Sequence, residues 1–162
     1  MVTRTIIENV KDALAAASMI VESTKSELIW LLPAQVLAFA DQFGLTNQSK
    51  VLIEKGVRVR GLTKISETSL EVVREYLNIG EEVRHIDEFQ GAFMLVADKK
   101  ESISSMNVTV QDLSLDDPIV AFWTDDQTYA DFLVSTFEAA WNEAVDVEKR
   151  AQELSEQGPQ HA

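Results

Sequence analysis

The sequence predicts an α/β fold in which a mostly parallel central sheet is covered by helices on both faces. Two observations indicate this class. Short apolar runs of strand length alternate with amphipathic stretches of helix length in the first half of the chain, as they do in parallel sheets. The chain has 162 residues, 46% of them hydrophobic, which is enough for one domain with a full core.

The N-terminal stretch is predicted to be a long helix with a narrow apolar seam. Thr5 and Glu8 have the spacing of a capping box, and apolar residues recur three and four apart from Ile7 to Val21. Such a seam either packs against its own domain or joins the chain to a second copy or another module. Residues 1–25 are therefore assigned to a connector or dimer helix.

The following segments alternate between strand and helix. The continuous apolar run ELIWLLP, residues 27–33, is typical of a buried strand, and Pro33 suits the first turn of the helix after it. A second helical piece runs from about residue 47 to 55 and ends at Gly56. The alternating pattern at residues 57–65 predicts the next strand.

A further helix and four more strands complete the predicted sheet. Thr68 and Glu71 form another capping box and open a helix that ends at Gly80. Short apolar runs then predict strands at residues 81–87, 92–98, 102–110 and 118–124.

One long helix is predicted to close the chain. Thr124 and Gln127 give a third capping box, and apolar residues keep helical spacing as far as Val147. The helix then continues with a polar surface, and residues 158–162 are expected to form a disordered tail. The α/β domain is therefore expected to span residues 26–157.

Charge and composition restrict the expected partners. The chain has 14 basic and 27 acidic residues and a formal net charge of −13, which opposes nucleic acid phosphates and anionic membranes. We therefore expect no direct nucleic acid partner. The absence of cysteine removes disulfides and thiolate chemistry, and no motif for a metal or cofactor is present. Without a membrane-spanning run or a signal peptide, we expect no membrane insertion and a cytoplasmic location.

Three stretches, taken together, carry a family likeness. VRVRGLTKI at 57–65 is a basic strand ending near a threonine, and 83–100 holds two strands with Arg-His in the first and Asp-Lys closing the second. The stretch at 119–150 contains Trp-Thr-Asp and then Phe-x-x-x-Trp. This set resembles the phospholipase-D-like sensor domains of archaeal signalling proteins, which stand in sensor histidine kinases and in TrmB-type transcription regulators. The resemblance covers roughly residues 5–155 and implies a single phospholipase-D-like half-domain.

The resemblance also implies that the reactive residues of the family are missing. Enzymes of this family carry a His-x-Lys followed five residues later by an Asp: the histidine attacks phosphorus, the lysine holds the phosphate and the aspartate supports the site. Aligned on the apolar strand, these places fall at Gln90, Ala92 and Ala97. Asp98 is one residue out, which on a strand means the opposite face. The degenerate motif implies a domain with no catalytic residues, so we expect no enzyme.

A ligand site is expected beyond the carboxyl ends of the strands, as in other open α/β sheets. The residues expected to line it are Arg60, Lys64, His85, Gln90 and Trp123. A cationic lining in an acidic chain would suit a small anionic effector. The alternative is that these basic residues form ordinary ion pairs with the many acids.

The sequence thus predicts a non-catalytic sensory or regulatory domain of signal transduction or transcription regulation. It would bind a small effector or a signalling partner protein and assemble as a homodimer. One alternative is a residual phosphoesterase that uses His85 with Asp87 or Asp98. Another is a structural interaction domain without a small ligand.

Overall fold

The computed structural model describes residues 2–89, 93–107 and 113–157, which form one eight-stranded sheet and six helices. The strands are β1 (Arg4–Asn9), β2 (Glu27–Leu31), β3 (Arg58–Thr63), β4 (Glu82–His85), β5 (Phe93–Ala97), β6 (Glu101–Asn107), β7 (Pro118–Thr124) and β8 (Val145–Asp146). The helices are α1 (Val10–Ser23), α2 (Ala34–Gln42), α3 (Leu45–Glu54), α4 (Leu70–Asn78), α5 (Gln127–Glu143) and α6 (Val147–Gln157). The strand order across the sheet is β1-β7-β6-β5-β2-β3-β4-β8.

The sheet is mixed, so the prediction of a mostly parallel sheet is wrong. The pairs β2–β3 and β3–β4 are parallel, and the other pairs among the described strands are antiparallel. β5 and β6 are joined only by the turn at Asp98–Lys100, which is too short for the crossover that a parallel pair requires. The alternation of strand and helix in the sequence therefore describes β2 to β4 alone.

Helices cover both faces of the sheet, as predicted. On one face, α1 to α4 and α6 surround a core that includes Ile20, Trp30 and Val73. On the other face, α5 packs Leu133 and Phe137 against alternate residues of β2, β3 and β5. The period-two alternation of the strands thus feeds two separate cores, one on each side of the sheet.

The strand that carries the family comparison lies in the middle of the sheet. β5 is fourth of the eight strands, between β6 and β2, and Met94 to Ala97 are all buried. The described part of this segment therefore occupies the predicted place in a sheet flanked by helices. Gln90 and Ala92 lie outside the described residues.

Asp98 follows β5 in a left-handed turn and fastens it to β2. Asp98 and Lys99 have φ of 54° and 57°, a region that aspartate tolerates better than most residues. The Asp98 carboxylate accepts hydrogen bonds of 2.8 to 3.0 Å from the backbone N–H groups of Lys25, Ser26 and Glu27. Burial raises the pKa of Asp98, but these donors outweigh it and leave the pKa below its usual value. Asp98 thus has a structural role.

The N-terminal stretch differs from the predicted long helix. Residues 4–9 form β1, which pairs with β7, and the helix begins only at Val10. The β-branched residues of RTIIEN favour a strand, and the Asn9 side chain caps the helix by accepting the backbone N–H of Asp12 at 2.8 Å. Ile7 and Val21 are buried in the core of their own chain. The predicted seam therefore packs at least partly against its own domain, and a connector or dimer role for residues 1–25 stays a prediction.

The single long C-terminal helix is also wrong. α5 ends at Glu143, the chain forms β8 beside β4, and α6 begins at Val147. Ala144 is extended, with φ −72° and ψ 156°, and the Asp146 side chain accepts the backbone N–H of Lys149 at 2.8 Å. An aspartate that satisfies a free N–H at a helix start stabilises a new helix at that point. α6 consequently packs on the opposite face of the sheet from α5. Residues 158–162 lie outside the described residues.

Candidate functional site

The structure does not bring the predicted ligand residues together. Trp123 lies on β7, five strands from β4, or about 24 Å at the usual strand spacing. Its indole N–H donates to Glu101 at 2.8 Å on the neighbouring strand. Lys64 is exposed just after β3, and Gln90 is outside the described residues. Arg60 and His85 lie on the adjacent strands β3 and β4.

Arg60 is a buried structural cation. Its guanidinium pairs with Glu27 at 2.9 Å and with Glu138 of α5, and it stacks at 5.2 Å from the ring centroids of Phe137 and Trp141. Since its side chain is only 5% exposed and two carboxylates neutralise it, Arg60 holds α5 on the sheet. It leaves no open positive charge for an anionic ligand.

His85 faces the opposite side of the sheet from Arg60. His85 is paired in register with Thr63, and Thr63 is three residues from Arg60 on the same strand, so the two side chains point apart. The His85 Nδ1 accepts a hydrogen bond from the backbone N–H of Ile65 at 2.9 Å, and the His85 Nε2 lies 2.9 Å from the Asp87 carboxylate. Burial lowers the pKa of His85, against the raising effect of Asp87. The neutral imidazole therefore carries its hydrogen on Nε2, and this N–H donates a hydrogen bond to the Asp87 carboxylate.

The other basic residues of β3 and β4 are also engaged. Arg58 pairs with Glu82 at 2.7 Å, and Arg84 stacks 4.1 Å from the Trp141 ring centroid and donates to the Trp141 carbonyl at 2.9 Å. The expected cationic crevice is thus replaced by ion pairs and stacking. Within the described ranges, no group of three or more His, Asp or Glu side chains converges to hold a metal ion.

The structure instead presents an apolar cavity of about 170 Å³, partly open to solvent, on the face of the sheet opposite α5. It lies between α1, α2 and the face of the sheet formed by β2, β5 and β6. Its wall is almost entirely apolar, and the contributing side chains include Ala13, Leu14, Ala17, Val21, Leu28, Leu32, Val36, Phe39, Leu45, Leu95, Ile103 and Ile119. A cavity of this size and lining can hold a small apolar molecule such as benzene.

The wall of this cavity includes a buried carboxylic acid. Glu81 lies between Gly80 and β4, is 4% exposed and accepts the Trp30 indole N–H at 2.7 Å and the Ser49 hydroxyl at 3.1 Å. Burial raises the pKa of Glu81 to about 7, although both hydrogen bonds act to lower it. Tyr76 also lines the cavity, with its hydroxyl donating to the Leu37 carbonyl at 2.6 Å.

The Trp30 ring can reach Glu81 only because the next strand has a glycine opposite it. Gly61 is paired in register with Trp30, and a Cβ at this position would lie 1.9 Å from the indole ring. Sequence reasoning missed this group, since Glu81 reads as an ordinary acid after a helix. The available signal was the N–H of a buried tryptophan, which requires an acceptor.

Comparison with known proteins supports the phospholipase-D-like fold. No family model and no curated protein matches the sequence. Among solved structures, the archaeal chromatin protein TrmBL2, which shows a novel mode of DNA binding, has a TM-score of 0.67 and 17% identity over 88% of this chain. Nuc from Salmonella typhimurium, a phospholipase D family member, has a TM-score of 0.74 and 12% identity over 90% of this chain and 98% of Nuc. NucT from Helicobacter pylori has a TM-score of 0.70 and 12% identity over 90% of this chain and 99% of NucT.

These likenesses define the class of the chain as an α/β protein with a phospholipase-D-like fold. At 12 to 17% identity they show the fold alone. The chain spans 54% of the length of TrmBL2.

Two expectations drawn from the sequence are contradicted by these neighbours. The expectation that the chain is not an enzyme is contradicted by Nuc, since a phospholipase D family member shares the fold over nearly the whole chain. The expectation of no nucleic acid partner, which rested on the negative net charge of this chain, is contradicted by TrmBL2, a DNA-binding protein with a similar fold. Both expectations rested on a missing motif and a net charge, and a fold comparison depends on neither.

The described part of the chain contains no helix with the length and apolar character needed to cross a bilayer.

Proposed function

We propose that this chain is a regulatory domain whose effector is a small, largely apolar molecule held in the cavity between α1 and α2. The single observation that carries the proposal is the cavity itself. The pocket of about 170 Å³ is partly open to solvent, and its almost entirely apolar wall gains free energy when an apolar molecule removes it from water.

A bound apolar molecule would cover part of this apolar wall and stabilise the folded state. The cavity wall is built from elements that are distant in sequence, including α1, α2 and β6, and an occupant contacts all of them at once. An effector regulates only if it binds two conformations differently, and the α1 and α2 walls are the elements whose positions an occupant would fix. The likeness to half of TrmBL2 supports a domain that works beside others.

The lining favours an apolar effector over the anionic one expected from the sequence. The cations that would have attracted an anion are paired with Glu27, Glu82 and Glu138 on the sheet. The buried carboxyl group at the cavity, Glu81, would repel an anion when ionised.

The test is ligand-induced thermal stabilisation with a cavity-filling variant. Ala17 lines the cavity from α1, and Ala15 on the same helix is exposed. Toluene at about 100 times its Kd is expected to stabilise the wild type by about 2.7 kcal/mol and raise Tm by roughly 5 to 10 °C. Ala17→Leu should abolish the shift, whereas the matched control Ala15→Leu should retain it. An unshifted wild type, or an equal shift in Ala17→Leu, would remove the cavity as the effector site.

A further inference from the structure

The buried carboxyl group of Glu81 carries information about the chemistry of the effector. It has two partners among the described residues, Trp30 and Ser49, and both are neutral. A carboxylate offers about four acceptor positions, so two remain unused. No ion pair with Lys, Arg or His reaches Glu81 in the described ranges of the chain.

The buried charge of Arg60 is compensated differently. Arg60 is as strongly buried as Glu81, yet two carboxylates, Glu27 and Glu138, compensate its charge. Burying an ion without such compensation is costly, which is why buried charges are normally paired. Glu81 is the opposite case, because this acidic group lines an apolar cavity and no cation among the residues that the structure describes pairs with it.

We propose that the effector is an apolar amine whose ammonium group pairs with Glu81 while its hydrocarbon part fills the cavity. The inference rests on the proposed function, since it assigns a chemical class to the effector that binds in the same cavity. The ammonium would supply the missing charge, and its N–H groups would occupy the free acceptor positions of the carboxylate. Trp30 and Ser49, which also line the cavity, hold the carboxylate in place by their hydrogen bonds. Its pKa of about 7 leaves it largely ionised at pH 8, ready to accept a cation.

A series of ligands of one shape and different charge tests this without any substitution. Benzylamine, benzyl alcohol and benzoate differ in the group attached to the same ring and carry charges of +1, 0 and −1. At pH 8, calorimetric titration of the wild type should give the order benzylamine, benzyl alcohol, benzoate. One charge-assisted hydrogen bond predicts at least a tenfold preference for benzylamine over benzyl alcohol.

Two neighbouring glutamates provide a matched pair of variants. Glu81→Gln should remove the preference for benzylamine and leave toluene binding within about threefold of wild type. Glu82→Gln changes the next residue, whose side chain pairs with Arg58 on the surface, and should leave the preference intact.

The outcomes separate the two proposals. If toluene and benzylamine both fail to bind, the cavity is not the effector site and the proposed function falls. If toluene binds but benzylamine and benzyl alcohol bind equally, or benzoate binds best, the cavity stands and the amine inference is overturned. A preference for benzylamine that persists in Glu81→Gln also overturns it, because the charge would then come from another group.

Discussion

The buried Glu81 predicts a stability difference between wild type and Glu81→Gln that depends on pH. The pKa of this carboxyl is about 7 in the folded protein, above an ordinary value of 4.5. The folded state therefore binds the proton more tightly than the unfolded state, and the wild type loses stability as the pH rises through the interval between these values. Between pH 5 and pH 8 this group alone removes about 2.5 kcal/mol from the free energy of unfolding. The glutamine variant has no charge to bury and escapes the loss.

Urea unfolding followed by tryptophan fluorescence at the two pH values measures this quantity. Subtracting wild type from variant cancels the contributions of the other acids, which both proteins share. The variant should gain about 2.5 kcal/mol over wild type on going from pH 5 to pH 8. Glu82→Gln is the control: the hydrogen bond from Arg58 lowers the pKa of Glu82, so its titration lies below this range and the difference should stay flat. A flat difference for Glu81→Gln as well would refute the burial argument.

Three further predictions concern the sheet and its surface. Asp98→Ala removes the acceptor of three backbone N–H groups at the start of β2 and should lower the free energy of unfolding by roughly 3 kcal/mol. The control Asp131→Ala changes an exposed aspartate and should leave this free energy almost unchanged, and urea unfolding measures both variants. Gly61→Ala puts a Cβ into the Trp30 ring and should cost about 3 kcal/mol by the same assay, with altered tryptophan fluorescence, and an unchanged stability would contradict the close approach. Lys64→Ala should leave the melting shift caused by toluene unchanged, because Lys64 is exposed and does not line the cavity. A lost shift in that variant would place the ligand elsewhere.

Local sequence signals predicted the middle of the chain well. α2 begins directly after Pro33, as a proline at a helix start indicates, and α3 and α4 end before Gly56 and Gly80. Both glycines adopt positive φ, of 92° and 105°, which is the conformation that favours glycine after a helix. These elements follow rules that operate within a few residues, so one sequence suffices to find them.

The failures arose where a distant strand decided the structure. The sequence joins residues 4–9 to the helical pattern that runs from Ile7 to Val21, but pairing with β7, more than a hundred residues away, makes them a strand. Residues 144–146 lie within a helical pattern, and pairing of β8 with β4 breaks it. The cavity was invisible for the same reason, since its walls come from segments that meet only in the folded chain.

The short passage at residues 144–146 limits how the two helical layers can move. These three residues carry the chain around one edge of the sheet, from α5 on one side to α6 on the other, and span about 10 Å at most. α6 cannot slide over its layer without pulling β8 from β4 or dragging the end of α5, where Trp141 lies against Arg60 and Arg84. The two helical layers are thus connected at this edge, so a displacement of one layer also displaces the other.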